Sequence, residues 1–172
     1  NRKSVFLLGS SKESNKKAVD SVRKKYHINI DGFSPKIGSF PINNFSYYWY
    51  NVTSLSIGSN GYISFSNPQN IASPFPIIPT ASGANDYMAP LLSDLTFTGI
   101  NNPGKCYLDN HNIDSTIISF VDVPYWQQAN PQYTGSNTFQ IILCNIDSTI
   151  IFQYKSMNGT TNGNDITIGI ES

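Results

Sequence analysis

Two histidines and two cysteines are the side chains of this sequence best suited to nucleophilic or transition-metal chemistry. A hydrolytic triad requires a buried histidine that is oriented beside a serine or a cysteine. His111 lies in the turn-like stretch LDNHNID, where exposure is expected, and His27 ends a predicted helix, where its charge would meet the helix dipole. Cys106 and Cys144 show no zinc-ligand spacing, and no phosphate-binding glycine motif occurs. The sequence therefore predicts no enzyme active site.

Carboxylates are the second group of candidates, because paired acids hydrolyse glycosides and clustered acids bind calcium. Most of the acidic residues lie in turn-like stretches, where an aspartate supports the turn by bonding to nearby backbone. A structural role is therefore expected for most of them. The alternative is a calcium site built from loop oxygens, of the kind that adhesion-type sandwiches often contain. Its first candidates are Asp86, Asp94 and Asp109.

Aromatic side chains are the strongest candidates for a ligand surface, because exposed rings beside amides stack on sugars or contact proteins. The stretch YYWY at 47–50 is predicted to lie in a strand, with Tyr47 and Trp49 on one face. The stretch VPYWQQANPQY at 123–133 is predicted to place its aromatic residues in or beside a loop that contains amides. The alternative is that a large tryptophan fills the end of the fold. The ligand-binding candidates are Trp49, Tyr125, Trp126 and Tyr133.

The composition is typical of an extracellular or cell-surface β-protein. Charged residues make up 13% of the 172 residues, about half the usual share, and aromatic residues make up another 13%. No apolar run approaches the roughly 18 residues that a membrane-spanning helix needs. The run SVFLLGS is also too short for a signal-peptide core, so any signal sequence is expected to lie outside this stretch of chain.

The zero net charge hides two oppositely charged parts. Residues 1–36 carry nine basic and three acidic side chains, a net charge of +6, whereas residues 37–172 carry two and eight, a net charge of −6. A helix is predicted around 11–26, with serines at its start and basic residues at its end. We therefore expect a basic N-terminal segment, either a linker or an element that docks on an acidic domain at 37–172. Nucleic-acid binding is not expected, because no recognition motif accompanies the basic residues.

From residue 37 onward, β-like runs alternate with turn sequences. The proline-rich stretch 67–88 is predicted to be a long loop that packs through its apolar residues. Many short strands with regular turns predict an all-β fold, an antiparallel β-sandwich of jelly-roll or immunoglobulin-like appearance. The predicted strands are 46–52, 54–58, 61–66, 89–97, 104–109, 115–123, 137–145, 148–156 and 165–171.

The stretch FQIILCNIDSTIIFQY at 139–154 predicts a hairpin that turns at Asn145–Asp147. If the strands at 104–109, 115–123 and 137–145 are successive neighbours, Cys106 and Cys144 lie two strand spacings apart, roughly 9–10 Å. A disulfide needs Cα atoms within about 7 Å of each other. The two cysteines are therefore predicted to be free thiols that pack as small apolar groups.

Six motifs occur in order along the second part of the chain. They are IGSNGYISFSN (57–67), MAPLLSDLTF (88–97), GKCYLDN (104–110), TIISFVDVPYW (116–126), NTFQIILCNIDSTIIFQYKSM (137–157) and ITIGIES (166–172). Their succession resembles the nidogen-like domain that is appended to secreted bacterial peptidases and adhesins. The resemblance leaves out residues 1–36. It implies an extracellular β-sandwich accessory or adhesion module with no known catalytic apparatus.

The expected function is therefore non-catalytic binding. In this interpretation the domain belongs to a larger secreted or cell-surface protein and recognises a protein or a glycan through loop aromatics. The alternative is a purely structural spacer or assembly domain, with the basic N-terminal segment docked on the acidic domain. An enzyme is the least supported class, because no constellation of residues favours one.

Overall fold

The computed structural model describes residues 5–8, 36–66, 70–80, 83–161 and 166–172. Within these ranges the regular secondary structure is entirely β-strand, which confirms the all-β prediction. The helix predicted around 11–26 lies outside the described residues. The ten strands are β1 (Val5–Leu8), β2 (Lys36–Tyr47), β3 (Tyr50–Gly58), β4 (Tyr62–Ser64), β5 (Tyr87–Leu92), β6 (Lys105–Asp109), β7 (Ser115–Trp126), β8 (Tyr133–Cys144), β9 (Thr149–Asn158) and β10 (Thr167–Glu171).

The strands form two five-stranded sheets. Sheet A has the order β1-β9-β8-β7-β6, and sheet B has the order β10-β5-β4-β3-β2. The edge strand β1 runs parallel to β9, whereas the other described pairs are antiparallel as predicted. Most neighbours in a sheet are also neighbours in sequence. Each sheet is therefore a meander with one added edge strand, rather than the Greek-key arrangement of jelly-roll and immunoglobulin folds.

A continuous apolar core lies between the two sheets. Sheet A contributes side chains such as Phe120 and Phe139, and sheet B contributes Leu55 and Met88. The Tyr154 hydroxyl on β9 donates a hydrogen bond to the backbone oxygen of Pro90 on β5 at 2.6 Å, which joins the sheets directly. The predicted sandwich is therefore confirmed.

The described part of the long loop between β4 and β5 covers the outer face of sheet B. Its Ile71 packs with Tyr62, Tyr87 and Leu92 of the sheet. The Ile71 backbone N–H donates to the Tyr62 hydroxyl at 3.2 Å, and the Thr80 N–H donates to the Glu171 carboxylate at 3.0 Å. These contacts confirm that the proline-rich stretch packs through its apolar residues.

The first part of strand β2 was not predicted, since no strand was expected before residue 46. Gly38 and Pro41 made a strand hard to predict here, because both residue types are unfavourable inside a sheet. Strand β2 is an edge strand of sheet B, and its pairing with β3 shifts register between Pro41 and Phe45. A proline is tolerated at such a position because no ladder hydrogen bond is lost.

The predicted neighbours β6, β7 and β8 do lie side by side in sheet A. Cys106 pairs with Phe120, whereas Cys144 pairs with Ser115 further along the same middle strand. Two strand spacings and this offset along β7 separate the cysteines by roughly 19 Å, so the predicted separation of roughly 9–10 Å was wrong because it left out the offset. Both cysteines are free, which confirms the prediction. Burial raises the pKa of the Cys106 thiol, so this group is held in its unreactive protonated form.

We expect the sandwich to lose stability between about pH 10 and pH 12, because its buried tyrosines keep their protons over this range while the same tyrosines ionise in the unfolded chain. Burial raises the pKa of Tyr154 from 10.0 to about 12, and burial together with the Glu171 charge raises the pKa of Tyr87 to about 12. The native state then holds protons that the unfolded chain has released, so the free energy of unfolding falls as pH rises. Urea unfolding across this pH range measures the loss. A Tyr154→Phe variant should show a shallower decline, and equal slopes for the two proteins would contradict this assignment.

Candidate functional site

The stretch YYWY does not lie within one strand as predicted: Tyr47 ends β2, Tyr50 begins β3, and the two residues between them form the tip of the β2–β3 hairpin. Tyr47 pairs with Tyr50, so Tyr48 and Trp49 make the two-residue turn. Tyr48 has a positive φ of 47°, as two-residue hairpin turns require. A non-glycine residue is uncommon in this region of φ/ψ space, and such strain concentrates at functional sites. The turn places Trp49 beyond the end of both strands.

Trp49 is the most exposed aromatic feature of the tip, with 84% of its surface accessible. Its ring centroid lies 5.4 Å from that of Tyr48, at an interplanar angle of 53°. An exposed indole does not contribute its hydrophobic burial to folding. An almost fully exposed tryptophan therefore indicates a candidate binding surface. The structure thus presents one large ring to the solvent on a defined support.

The support of the tip is a packed aromatic cluster. Tyr47 is completely buried, and its ring lies 4.8 Å from Tyr48 and 4.7 Å from Phe65. Its hydroxyl donates a hydrogen bond to the backbone oxygen of Glu171 at 2.7 Å, which ties the hairpin to β10. Tyr50 packs against Tyr47 edge to face at 5.8 Å. Because its base is held by these contacts, the tip can present Trp49 in a restricted set of orientations.

Asp86 provides negative charge at the base of the hairpin. Its backbone oxygen accepts a hydrogen bond from the Phe65 N–H at 2.9 Å, and its φ is +58°. Burial raises the pKa of Tyr50, and the neighbouring Asp86 carboxylate raises it further. The fold therefore brings two of the predicted candidates, Trp49 and Asp86, to the same end of sheet B.

The other aromatic candidates lie at the opposite end of the sandwich. Tyr125 is only 4% exposed and belongs to the core, because β7 continues through the stretch that was predicted as loop. Tyr133 begins β8, and its hydroxyl donates to the backbone oxygen of Ile100 at 2.8 Å. Trp126 ends β7 and is half-buried. These rings contribute to the packing of that end and leave less surface for a ligand than Trp49 does.

Asp94 lies beside the half-buried Trp126. The backbone N–H of Trp126 donates a hydrogen bond to the backbone oxygen of Asp94 at 2.7 Å. The next residue, Leu95, forms an isolated antiparallel bridge with Tyr125. Burial raises the pKa of the Asp94 carboxyl. Partial burial thus disfavours the charged form of Asp94 relative to an exposed carboxylate.

The structure does not bring the three predicted calcium ligands together. Asp86 and Asp94 lie at opposite ends of β5 (Tyr87–Leu92), and Asp109 ends β6 in the other sheet. The Asp109 carboxylate accepts a hydrogen bond from the backbone N–H of His111 at 3.2 Å, which closes an exposed turn as predicted for this stretch. In the ranges that the structure describes, no three histidine, cysteine or acidic residues are grouped to hold a metal ion.

The fold and the tip define a two-sheet β-sandwich domain that presents an aromatic hairpin. A family model described as NIDO related, that is nidogen related, matches residues 36–172. The match covers most of the chain, and the chain therefore belongs to the nidogen-related family, as its motifs suggested. No curated protein and no solved structure matches the chain.

The residues of the described ranges include no helix that is long and apolar enough to cross a membrane.

Proposed function

We propose that the chain is a non-catalytic binding module of a larger secreted or cell-surface protein, which recognises a protein or a glycan through exposed aromatic side chains. The observation that carries this proposal is Trp49, 84% exposed at the tip of a hairpin whose base is packed. Large rigid aromatic side chains are enriched among the residues that dominate binding energy. A rigid support further lowers the entropy lost on binding.

Composition and family support the extracellular location. The chain has few charged residues and many aromatic ones. The nidogen-like domains that it resembles are extracellular accessory or adhesion modules.

Among the described residues, the histidine available for catalysis is His111, which lies in an exposed turn beside Asp109 at 3.3 Å. This position favours a structural use of the histidine over a catalytic one.

A structural spacer with a docked N-terminal segment is the second candidate function. One observation favours it: Val5–Leu8, the first described residues of the basic segment, already pair with β9 at the edge of sheet A. The domain beyond residue 36 has a net charge of −6, which complements the +6 of residues 1–36. In this interpretation the domain organises neighbouring parts of a longer protein.

The binding proposal predicts that Trp49→Ala lowers ligand binding at least tenfold while leaving the fold unchanged, because an exposed tip residue contributes little to the core. The measurement is binding of the labelled chain to arrays of extracellular matrix proteins and glycans. Ile100→Ala is the matched control, since Ile100 is 87% exposed and lies beside Tyr133, at the opposite end of the sandwich. Equal binding by the Trp49→Ala variant and the unmodified chain would contradict a role for the tip.

A further inference from the structure

The apolar surface of the hairpin tip is confined to the aromatic turn. A stable protein interface buries about 800 Å² on each partner around an apolar centre. On the β2–β3 hairpin, the exposed large apolar residue is Trp49. The other exposed large apolar residues of the described ranges lie outside this hairpin. These are Ile77, Ile100, Ile113, Ile146, Met157, Ile166 and Ile168. One projecting indole is better matched to a small ring than to a broad apolar interface.

Hydrogen-bonding groups also lie on the strands that lead into the turn. Ser46 and Asn51 form the cross-strand pair next to the Tyr47–Tyr50 pair that closes the turn. Asn51 is exposed, and its amide both donates and accepts hydrogen bonds. Asp86, at the base of the hairpin, adds a carboxylate acceptor. A stacking ring with amide and carboxylate groups nearby suits a ligand that has one apolar face and many hydroxyl groups.

The charge around the tip distinguishes between anionic and uncharged ligands of this kind. The sequence contains no lysine or arginine between Lys36 and Lys105, which includes the whole turn and Asp86. The turn at 110–114, which bonds to Asn43 of β2 through the Asn110 and Asn112 oxygens, carries an acid and no lysine or arginine. Among the described residues around the turn, an anionic ligand would therefore meet acidic groups and no lysine or arginine. The local charge favours an uncharged ligand.

We propose that the hairpin tip binds a neutral glycan, with the Trp49 indole stacked on the apolar face of a pyranose ring. The weakly positive C–H groups of such a face meet the negative π face of the indole. In this proposal Asn51 and Asp86 supply the hydrogen bonds to the ring hydroxyls. This inference rests on the proposed binding function and names the ligand class of that same site.

The chain's two tryptophans make the proposal directly measurable. In a Trp126→Phe variant, Trp49 is the sole tryptophan, so its fluorescence reports on the tip. We would screen an array of neutral and sialylated glycans, and then titrate this variant with cellotetraose, chitotetraose, mannotetraose and the best-bound neutral glycan. Sialyllactose serves as the anionic comparison. The expected result is a saturable change in Trp49 emission with a neutral glycan and weaker binding of sialyllactose.

Substitutions at the tip separate ring stacking from a structural effect. Trp49→Ala should lower the affinity for the neutral glycan at least tenfold, and Trp49→Phe should restore part of it because a smaller ring still stacks. Circular dichroism confirms that each variant is folded. Retention of sialylated glycans in preference to neutral ones would overturn the proposed ligand class. A protein ligand lost on Trp49→Ala, with no neutral glycan bound, would overturn the glycan proposal and leave the binding function standing. Neutral-glycan binding that is unchanged in Trp49→Ala would overturn the site.

Discussion

Replacing Phe120 with alanine is expected to lower the free energy of unfolding by about 3–5 kcal/mol. Phe120 is fully buried and stacks on Phe139 of the neighbouring strand, with ring centroids 4.7 Å apart and an interplanar angle of 11°. The substitution removes the buried ring and also the aromatic pair, which adds about 0.5–1.5 kcal/mol beyond area burial. Because small domains are stable by only about 5–15 kcal/mol, this single change brings the sandwich close to unfolding.

Equilibrium urea unfolding measures this loss, with Ile113→Ala as the control. Ile113 is 72% exposed, so its truncation should change the free energy of unfolding by less than about 0.5 kcal/mol. A Phe120→Leu variant should lie between the two, since leucine refills part of the cavity. A loss below about 1 kcal/mol for Phe120→Ala would mean that the two sheets do not pack around this pair as described.

Gly61→Ala is expected to destabilise the domain by about 3–5 kcal/mol, which combines backbone strain with overpacking. Gly61 has a φ of +79° in the turn between β3 and β4, where only glycine avoids strain. A Cβ at this position would also overlap the backbone oxygen of Leu91 on β5. That oxygen cannot move freely, because the adjoining Ser93 N–H donates to the Asn60 oxygen at 3.2 Å.

Gly83→Ala separates the two causes. Gly83 also has a positive φ, +110°, but a Cβ there would meet no atom within 4 Å. Its substitution should therefore show the conformational strain alone, about 1–2 kcal/mol. Thermal or urea unfolding of both variants gives the difference. If the two substitutions cost the same, the close approach of the β3–β4 turn to β5 is not what requires glycine at position 61.

The parts of the fold that the sequence predicted well are those that local patterns determine. The apolar runs around Asn145–Asp147 and the turn residues between them predicted the β8–β9 hairpin, which the register confirms. The neighbour relations of β6, β7 and β8 were predicted as well, but the register that offsets Cys106 from Cys144 along β7 was not. Such hairpins need only local information, because turn chemistry and apolar patterning specify the pairing.

The hairpin tip could not be predicted from local patterns. Tyrosine and tryptophan favour strands, so the stretch 47–50 has high β-propensity and none of the glycine or asparagine residues that mark a tight turn. The turn forms because Phe40, Leu55 and their neighbours pair across β2 and β3 and fix the register. Long-range contacts of Tyr47 with Phe65 and Glu171 then fix the base of the turn that contains the strained Tyr48. The sequence of residues 47–50 contains no pattern that would indicate either contact.

The aromatic loop candidates illustrate the opposite error. Tyr125 was expected in or beside a loop, because the stretch that follows contains glutamine, asparagine and proline. Strand β7 instead continues through irregular pairing between Phe120 and Tyr125, where Asp122 has a φ of +54°. Such bulges redirect side chains, and here Tyr125 faces the core. Trp49 is exposed, but the strand placement that motivated its choice was wrong, and its role in binding stays a prediction.

The construction of the hairpin tip has a consequence for how this domain diversifies. Tyr47 and Tyr50 anchor the hairpin in the core, whereas only Tyr48 and Trp49 form the turn. Under the proposed function, substitutions at the exposed position 49 alter the ligand with little penalty to folding, while the anchors keep the scaffold constant. Relatives that share this architecture could then differ in their ligands through changes at one or two codons.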